Sequence, residues 1–230
     1  MALSSTKFAS REALNESFAK EILALLQSAI DKKGKASIAV SGGSTPKALF
    51  ETLSNCDFPW DKVSITLADE RWVSASHNDS NEKLVNENFL VNKAAAATFV
   101  SLTTSDTDAL NAEEVISQRV DDLGEHIDVI ILGMGEDGHT ASLFPCSAQI
   151  SEGLNLQRKL SAIATQPTTA PHQRMSLSLA KIIQSPNVFL HLTSDKKLAV
   201  LEDALANYTA IEKPIKAVCE HTNVKLMWAS

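Results

Sequence analysis

Residues 36–50 read ASIAVSGGSTPKALF. The run 36–40 is apolar apart from one serine, too short for a helix, and reads as a strand. Ser41, Gly42, Gly43, Ser44 and Thr45 follow, and then Pro46. A hydroxyl residue ahead of proline marks a helix start, with Thr45 as N-cap and Pro46 at the first helical position. Upstream, Leu14, Phe18, Ile22, Leu25, Leu26 and Ile30 recur at steps of three and four, which is one face of a helix stopped by Gly34. Helix, strand, glycine-rich loop, helix is the grammar of a parallel-sheet protein.

The alternation continues along the chain. Strands are predicted at 63–67, 98–102, 128–132, 160–165, 175–179, 187–193 and 224–228. Helices are predicted at 79–91, at 106–123 with Gly124 as the stop, at 195–206 and around 214–219. Strands separated by helices require crossovers. The expectation is therefore a Rossmann-like α/β fold, a mainly parallel sheet flanked by helices on both faces. A chain of 230 residues is one large domain or two small ones. No repeat, low-complexity tract or convincing linker divides it, so a single α/β domain over 1–230 is expected.

Composition narrows the function classes. Apolar residues make up 44% and charged residues 21%, as in an ordinary globular protein. No apolar run approaches the roughly 20 residues of a membrane span, and the first residues lack the apolar core of a signal peptide. A cytoplasmic location is expected, with no membrane partner. The formal charge of −7 would repel a phosphate polymer, so no nucleic-acid partner is expected. Cys56, Cys146 and Cys219 form no CxxC pair, which suggests reduced thiols and no thiolate metal site.

In open parallel sheets, ligands bind beyond the carboxyl ends of the strands. Three strand ends carry unusual chemistry. After the first, Gly42, Gly43, Ser44 and Thr45 offer backbone N–H groups, hydroxyls and a helix N-terminus, a set suited to a phosphate monoester. No GK[ST] follows, so this is no nucleotide P-loop; the plainer reading is a tight turn with an N-cap. After the second come Asp69, Glu70, Arg71 and Trp72. Arg71 suits a phosphate or carboxylate, and Asp69 or Glu70 suits orienting a base or accepting sugar hydroxyls. The plainer reading is solvated charge. The polar run His77-Asn78-Asp79-Ser80-Asn81 reads as helix capping, chiefly by Asp79 and Ser80.

The third end is GMGEDGHTASLFP, residues 133–145. Its GxGxxG has the form of a dinucleotide fingerprint, but Pro145 limits any following helix to about two turns, and no acid-tipped strand comes next. The alternative is that the glycines expose Asp137 and His139 at the sheet edge. Histidine suits proton transfer near neutrality. A zinc site would need a third and usually a fourth ligand, and no local pattern supplies them.

SGGSTPKALF (41–50), DERWV (69–73) and LGMGEDGHTASLFP (132–145) together resemble the glucosamine-6-phosphate isomerase/6-phosphogluconolactonase family, on its lactonase side. The resemblance extends to PHQRMSLS (171–178) and TSDKK (193–197), where Ser194 stands in place of the family's usual glycine and Lys197 matches the family lysine. It implies hydrolysis of a small-molecule sugar phosphate lactone, 6-phospho-D-glucono-1,5-lactone, with no metal and no organic cofactor. It also implies the fold shared with glucosamine-6-phosphate deaminase, ribose-5-phosphate isomerase A and CoA transferases. On this reading His139 is the general base, oriented by Asp137 or Asp69. Gly42, Gly43, Ser44, Thr45, Arg174 and Lys197 hold the phosphate, and Arg71 serves the phosphate or the carbonyl oxygen. The nearest rival is a glucosamine-6-phosphate deaminase-like isomerase, whose family follows the histidine with an asparagine–glutamate–proline stretch; here Thr140-Ala-Ser-Leu-Phe-Pro145 follows. Monomer and dimer are both open.

Overall fold

A computed structural model describes residues 3–230. The chain begins with β1 (Leu3–Lys7), α1 (Arg11–Lys33), β2 (Ala36–Val40), α2 (Lys47–Ser54) and β3 (Val63–Leu67). It continues through β4 (Asp69–Arg71), α3 (Asn81–Asn88), β5 (Thr98–Val100), α4 (Glu113–Asp121) and β6 (Val129–Leu132). The second half holds α5 (Ile150–Gly153), β7 (Ala162–Thr165), β8 (Arg174–Leu177), α6 (Leu179–Ile182), β9 (Val188–Leu192), α7 (Asp195–Asn207), α8 (Ile215–His221) and β10 (Val224–Trp228).

Seven strands form one sheet in the order β1-β10-β9-β6-β2-β3-β5, and every pairing in it is parallel. Every residue of β2, β6 and β9 is buried, the mark of strands covered on both faces. From β2 the chain steps outward through β3 to β5. It then returns to the far side of β2 with β6 and proceeds outward through β9 and β10. The strand order therefore reverses between β2 and β6, and a crevice opens at their carboxyl ends. Helix α1 ends at Gly34 as its sequence predicts: Gly34 adopts φ 80 and donates its N–H to Ile30 O at 2.7 Å.

Three local expectations are corrected, and the limit that Pro145 sets on any helix after Gly138 holds. Pro46 occupies the N-cap position of α2 with no side-chain cap, so Thr45 lies outside the helix. No helix follows Gly138; the chain turns tightly, with a Thr140–Leu143 bridge. The helix predicted over 106–123 opens with a 3-10 turn at Ala109–Ala112 before α4 begins. The charges at 69–71 do not trail into solvent. They form β4, which joins β8 and β7 in a separate antiparallel sheet of order β4-β8-β7. Ala68 links the two sheets, donating to Val40 O and accepting from Leu177 N. The small sheet thus stands at the carboxyl edge of the large one.

Candidate active site

Loop 133–144 begins where β6 ends. Gly133 N donates to Ser41 Oγ, Thr140 Oγ1 to Gly133 O, and Gly135 N to His139 O. The first bond ties the loop to the segment after β2, and the other two close it on itself. His139 Nδ1 lies 2.5 Å from Asp137 Oδ1, which also accepts from His139 N at 3.2 Å. Burial works to raise the Asp137 carboxyl, but the bond to His139 and the neighbouring imidazole outweigh it, so its pKa is lowered. An ionised Asp137 accepts a hydrogen bond from Nδ1–H, which in the neutral ring leaves the lone pair on Nε2. The opposite face is supported too: Phe144 stacks on the imidazole with centroids 4.1 Å apart. A Cβ at position 135 would come within 2.2 Å of His139 Cε1, so only glycine lets the ring fold back over the loop.

A cavity of about 430 Å³ lies in front of this ring. Its walls include Gly42, Gly43, Ser44 and Thr45 beyond β2, Asp69 and Arg71 on β4, Arg174 on β8, and Lys197 in the first turn of α7. Gly43 adopts φ 90, a backbone conformation that favours glycine. Arg71 and Arg174 are cross-strand partners in the small sheet, and the Nε atoms of both are buried without a hydrogen-bond partner. Arg71 Nη1 donates to Asp79 O and an Arg174 Nη to Pro171 O. Burial, then the neighbouring Arg71 charge, lower the Arg174 pKa. Two adjacent guanidiniums with unmet donors are costly alone and complementary to an anion. Lys196 pairs with Glu136 at 2.8 Å. Among the described residues Lys197 has no ion-pair partner, and it is the lysine that faces the cavity.

The acids divide by their partners. Asp137, not Asp69, is bonded to the imidazole; Asp69 Oδ2 accepts from Ser142 Oγ at 2.5 Å. Glu70 is fully buried and accepts from Arg71 N, Ser80 Oγ, Asn81 N and Glu82 N, so it anchors the start of α3 and does not reach the cavity. Burial raises its pKa even against those four donors. Ser142, buried behind Asp69, has no exposed nucleophilic position.

The profile of the family described as "Glucosamine-6-phosphate isomerases/6-phosphogluconolactonase" matches residues 9–228. The chain belongs to this family. Among family members it is 38% identical to the 6-phosphogluconolactonase of Rhizobium meliloti, over 96% of this chain and 97% of that one. It is 40% identical to the 6-phosphogluconolactonase of Neisseria meningitidis serogroup B, over 91% and 90% of the two chains. The crystal structure of a 6-phosphogluconolactonase from Shewanella baltica superposes with a TM-score of 0.96 at 41% identity, covering 100% of this chain and 98% of that one. A monomeric glucosamine-6-phosphate deaminase shares the fold, with a TM-score of 0.79 at 16% identity.

In this member of the family three cavity residues escape sequence reasoning. Phe144 lies inside the recognisable loop, but its place against the His139 ring depends on a turn that sequence does not reveal. Asn81 reads as part of a helix start, yet its Nδ2 donates to Asp69 O at 2.8 Å. His191 reads as ordinary packing within a strand. It is buried, edge-on to Phe18, and lines the cavity floor with both ring nitrogens unpartnered. No helix among the described residues is long and apolar enough to cross a membrane.

Proposed function

We propose that the chain is a carboxylic ester hydrolase that opens 6-phospho-D-glucono-1,5-lactone to 6-phospho-D-gluconate, with His139 as general base and no metal in the reaction. The observation that carries this reading is the Asp137–His139 pair facing a cavity whose other wall holds Arg71 and Arg174. His139 Nε2 takes a proton from water as the oxygen attacks C1 of the lactone. The tetrahedral oxyanion collapses with cleavage of the bond between C1 and the ring oxygen, and His139 returns its proton to that oxygen. Asp137 fixes the tautomer and stabilises the imidazolium formed midway.

The phosphate sits among Gly42, Gly43, Ser44, Thr45, Arg174 and Lys197. Arg71 shares that dianion with Arg174, which meets the unsatisfied Nε atoms of both. Metal-free chemistry is supported by the donor set: Asp137 and His139 are two ligands, bonded to each other. The one group of three converging His, Cys, Asp or Glu side chains among the described residues lies elsewhere. Residues 1–230 act as one unit in this proposal, supported by a hydrophobic core that draws on both sheets. A cytoplasmic setting is supported by three free cysteines, Cys56, Cys146 and Cys219.

Freshly prepared lactone and glucosamine 6-phosphate, given separately, test the reading. Acid release from the lactone above the spontaneous rate, with no ammonia from the amino sugar, is expected. Ammonia release without lactone hydrolysis would replace the proposal by the deaminase reading.

A further inference from the structure

Capping explains only part of the polar run 77–81. Ser80 caps α3, accepting from Lys83 N, and Glu70 takes the N–H groups of Asn81 and Glu82 ahead of it. Asp79 caps nothing. Its carboxylate faces two imidazoles, with Oδ2 3.0 Å from His172 Nε2 and 3.8 Å from His77 Nδ1. The two rings lie 5.4 Å apart and nearly perpendicular, at 76°. One ligand atom from each of the three residues lies within 4.8 Å of the others. His172 reaches this position at φ 69, in the left-handed region that a bulky residue seldom occupies. His77 and Asp79 are exposed and His172 half-buried, so the approach from solvent is open.

The donor set selects the ion. Two imidazoles and one carboxylate, with a fourth position left to water, suit tetrahedral zinc-class ions. Calcium and magnesium prefer six or more oxygen ligands.

We propose that His77, Asp79 and His172 form a binding site for a divalent transition-metal ion of the zinc class, separate from the reacting groups. The ion replaces the hydrogen bond between His172 and Asp79; a neutral His172 moves its proton to Nδ1, and a protonated one releases a proton to solvent. His77 Nδ1 exchanges the Asp79 N–H that it now accepts at 3.1 Å for the ion. The site joins two loops at the cavity rim. Asp79 O holds Arg71 Nη1 at 2.5 Å, and His172 lies between Ala170 and Arg174, both cavity residues. An ion here ties together the two segments that carry the arginine pair.

The test is calorimetric titration of chelator-treated full-length protein with Zn²⁺ alone, alongside the visible absorption of added Co²⁺ as a reporter of four-coordination. One equivalent is expected to bind. His77→Ala and His172→Ala should each weaken it by more than tenfold, since even an outer-shell partner is worth about 10–100-fold in metal affinity. Binding should persist in His139→Ala, and in His126→Ala, which removes a histidine beside a different acid, Asp128. Should His172→Ala not fold, His172→Gly relieves the positive φ while deleting the ligand. Absence of saturable binding, binding that survives both ligand substitutions, or binding lost with His139 would each overturn the proposal.

Discussion

His139 is held from two sides, by a carboxylate at its Nδ1 edge and by the face of Phe144, and this preorganisation is what a general base requires. His139→Ala is expected to lower kcat by about 10²–10⁴-fold, measured as initial rates after subtracting spontaneous hydrolysis. Lys197→Ala should do the reverse, raising KM more than it lowers kcat, because its side chain lines the cavity beside the proposed phosphate cradle. A folded His139→Ala protein with near-normal kcat would remove this residue from the mechanism. At this scale the sequence speaks plainly about residue types and poorly about partners. Asp137 and Asp69 look equally fit to orient a histidine. Only the turn at 133–140 brings one of them onto the ring, while Ser142 engages the other. Arg71 and Arg174 stand over a hundred positions apart in the chain, and nothing local says that an antiparallel pairing will set them side by side.

At the scale of elements, Glu70 connects two pieces of structure. Its carboxylate receives the first free N–H groups of α3, at 2.7 and 2.6 Å, while its own backbone pairs with Met175 in the small sheet. An anion at a helix N-terminus is favoured by the helix dipole. Glu70→Gln keeps the shape but turns an NH₂ group toward donors. Losing hydrogen bonds to a buried charged group at about 1.5–3 kcal/mol each predicts destabilisation of at least ~2 kcal/mol, read from urea midpoints. A shift under about 0.5 kcal/mol, the usual size for an ordinary surface substitution, would show that the carboxylate does not anchor α3. Elements with strong apolar character were legible from sequence: β2, β3, β6, β9 and β10 all appear close to where their runs lie. The edge strand β1, LSSTK, was not, because its partner β10 supplies the pairing and β1 itself has no apolar signal. The strand β4 was hidden by being three residues long and charged.

For the molecule as a whole, His191 links acidity to stability. Burial, with a smaller contribution from the Lys197 charge, lowers its pKa from 6.5 to about 4. In the unfolded chain it would take a proton near its ordinary 6.5. Between these values the unfolded state binds more protons, so stability is full above pH 6.5 and declines as pH falls toward 4. The loss reaches on the order of 3 kcal/mol from this one group. Denaturant titrations from pH 7 to 4 should show a shallower acid decline for His191→Leu than for the parent chain. Parallel curves would mean that His191 titrates normally in the folded state.

The crevice between β2 and β6 is assembled from distant parts of one chain: Gly133 N reaches back 92 positions to Ser41 Oγ, and Thr45 meets Thr193 across 148. Parallel strands cannot be joined by a tight turn, so each pairing must wait for its crossover to close. A growing polypeptide that has produced the glycine loop and even the histidine still lacks Arg174 and Lys197. No folding unit smaller than nearly the whole chain contains the complete site. During synthesis the cavity therefore cannot be completed until Lys197 has been made and the strands that carry its walls have paired.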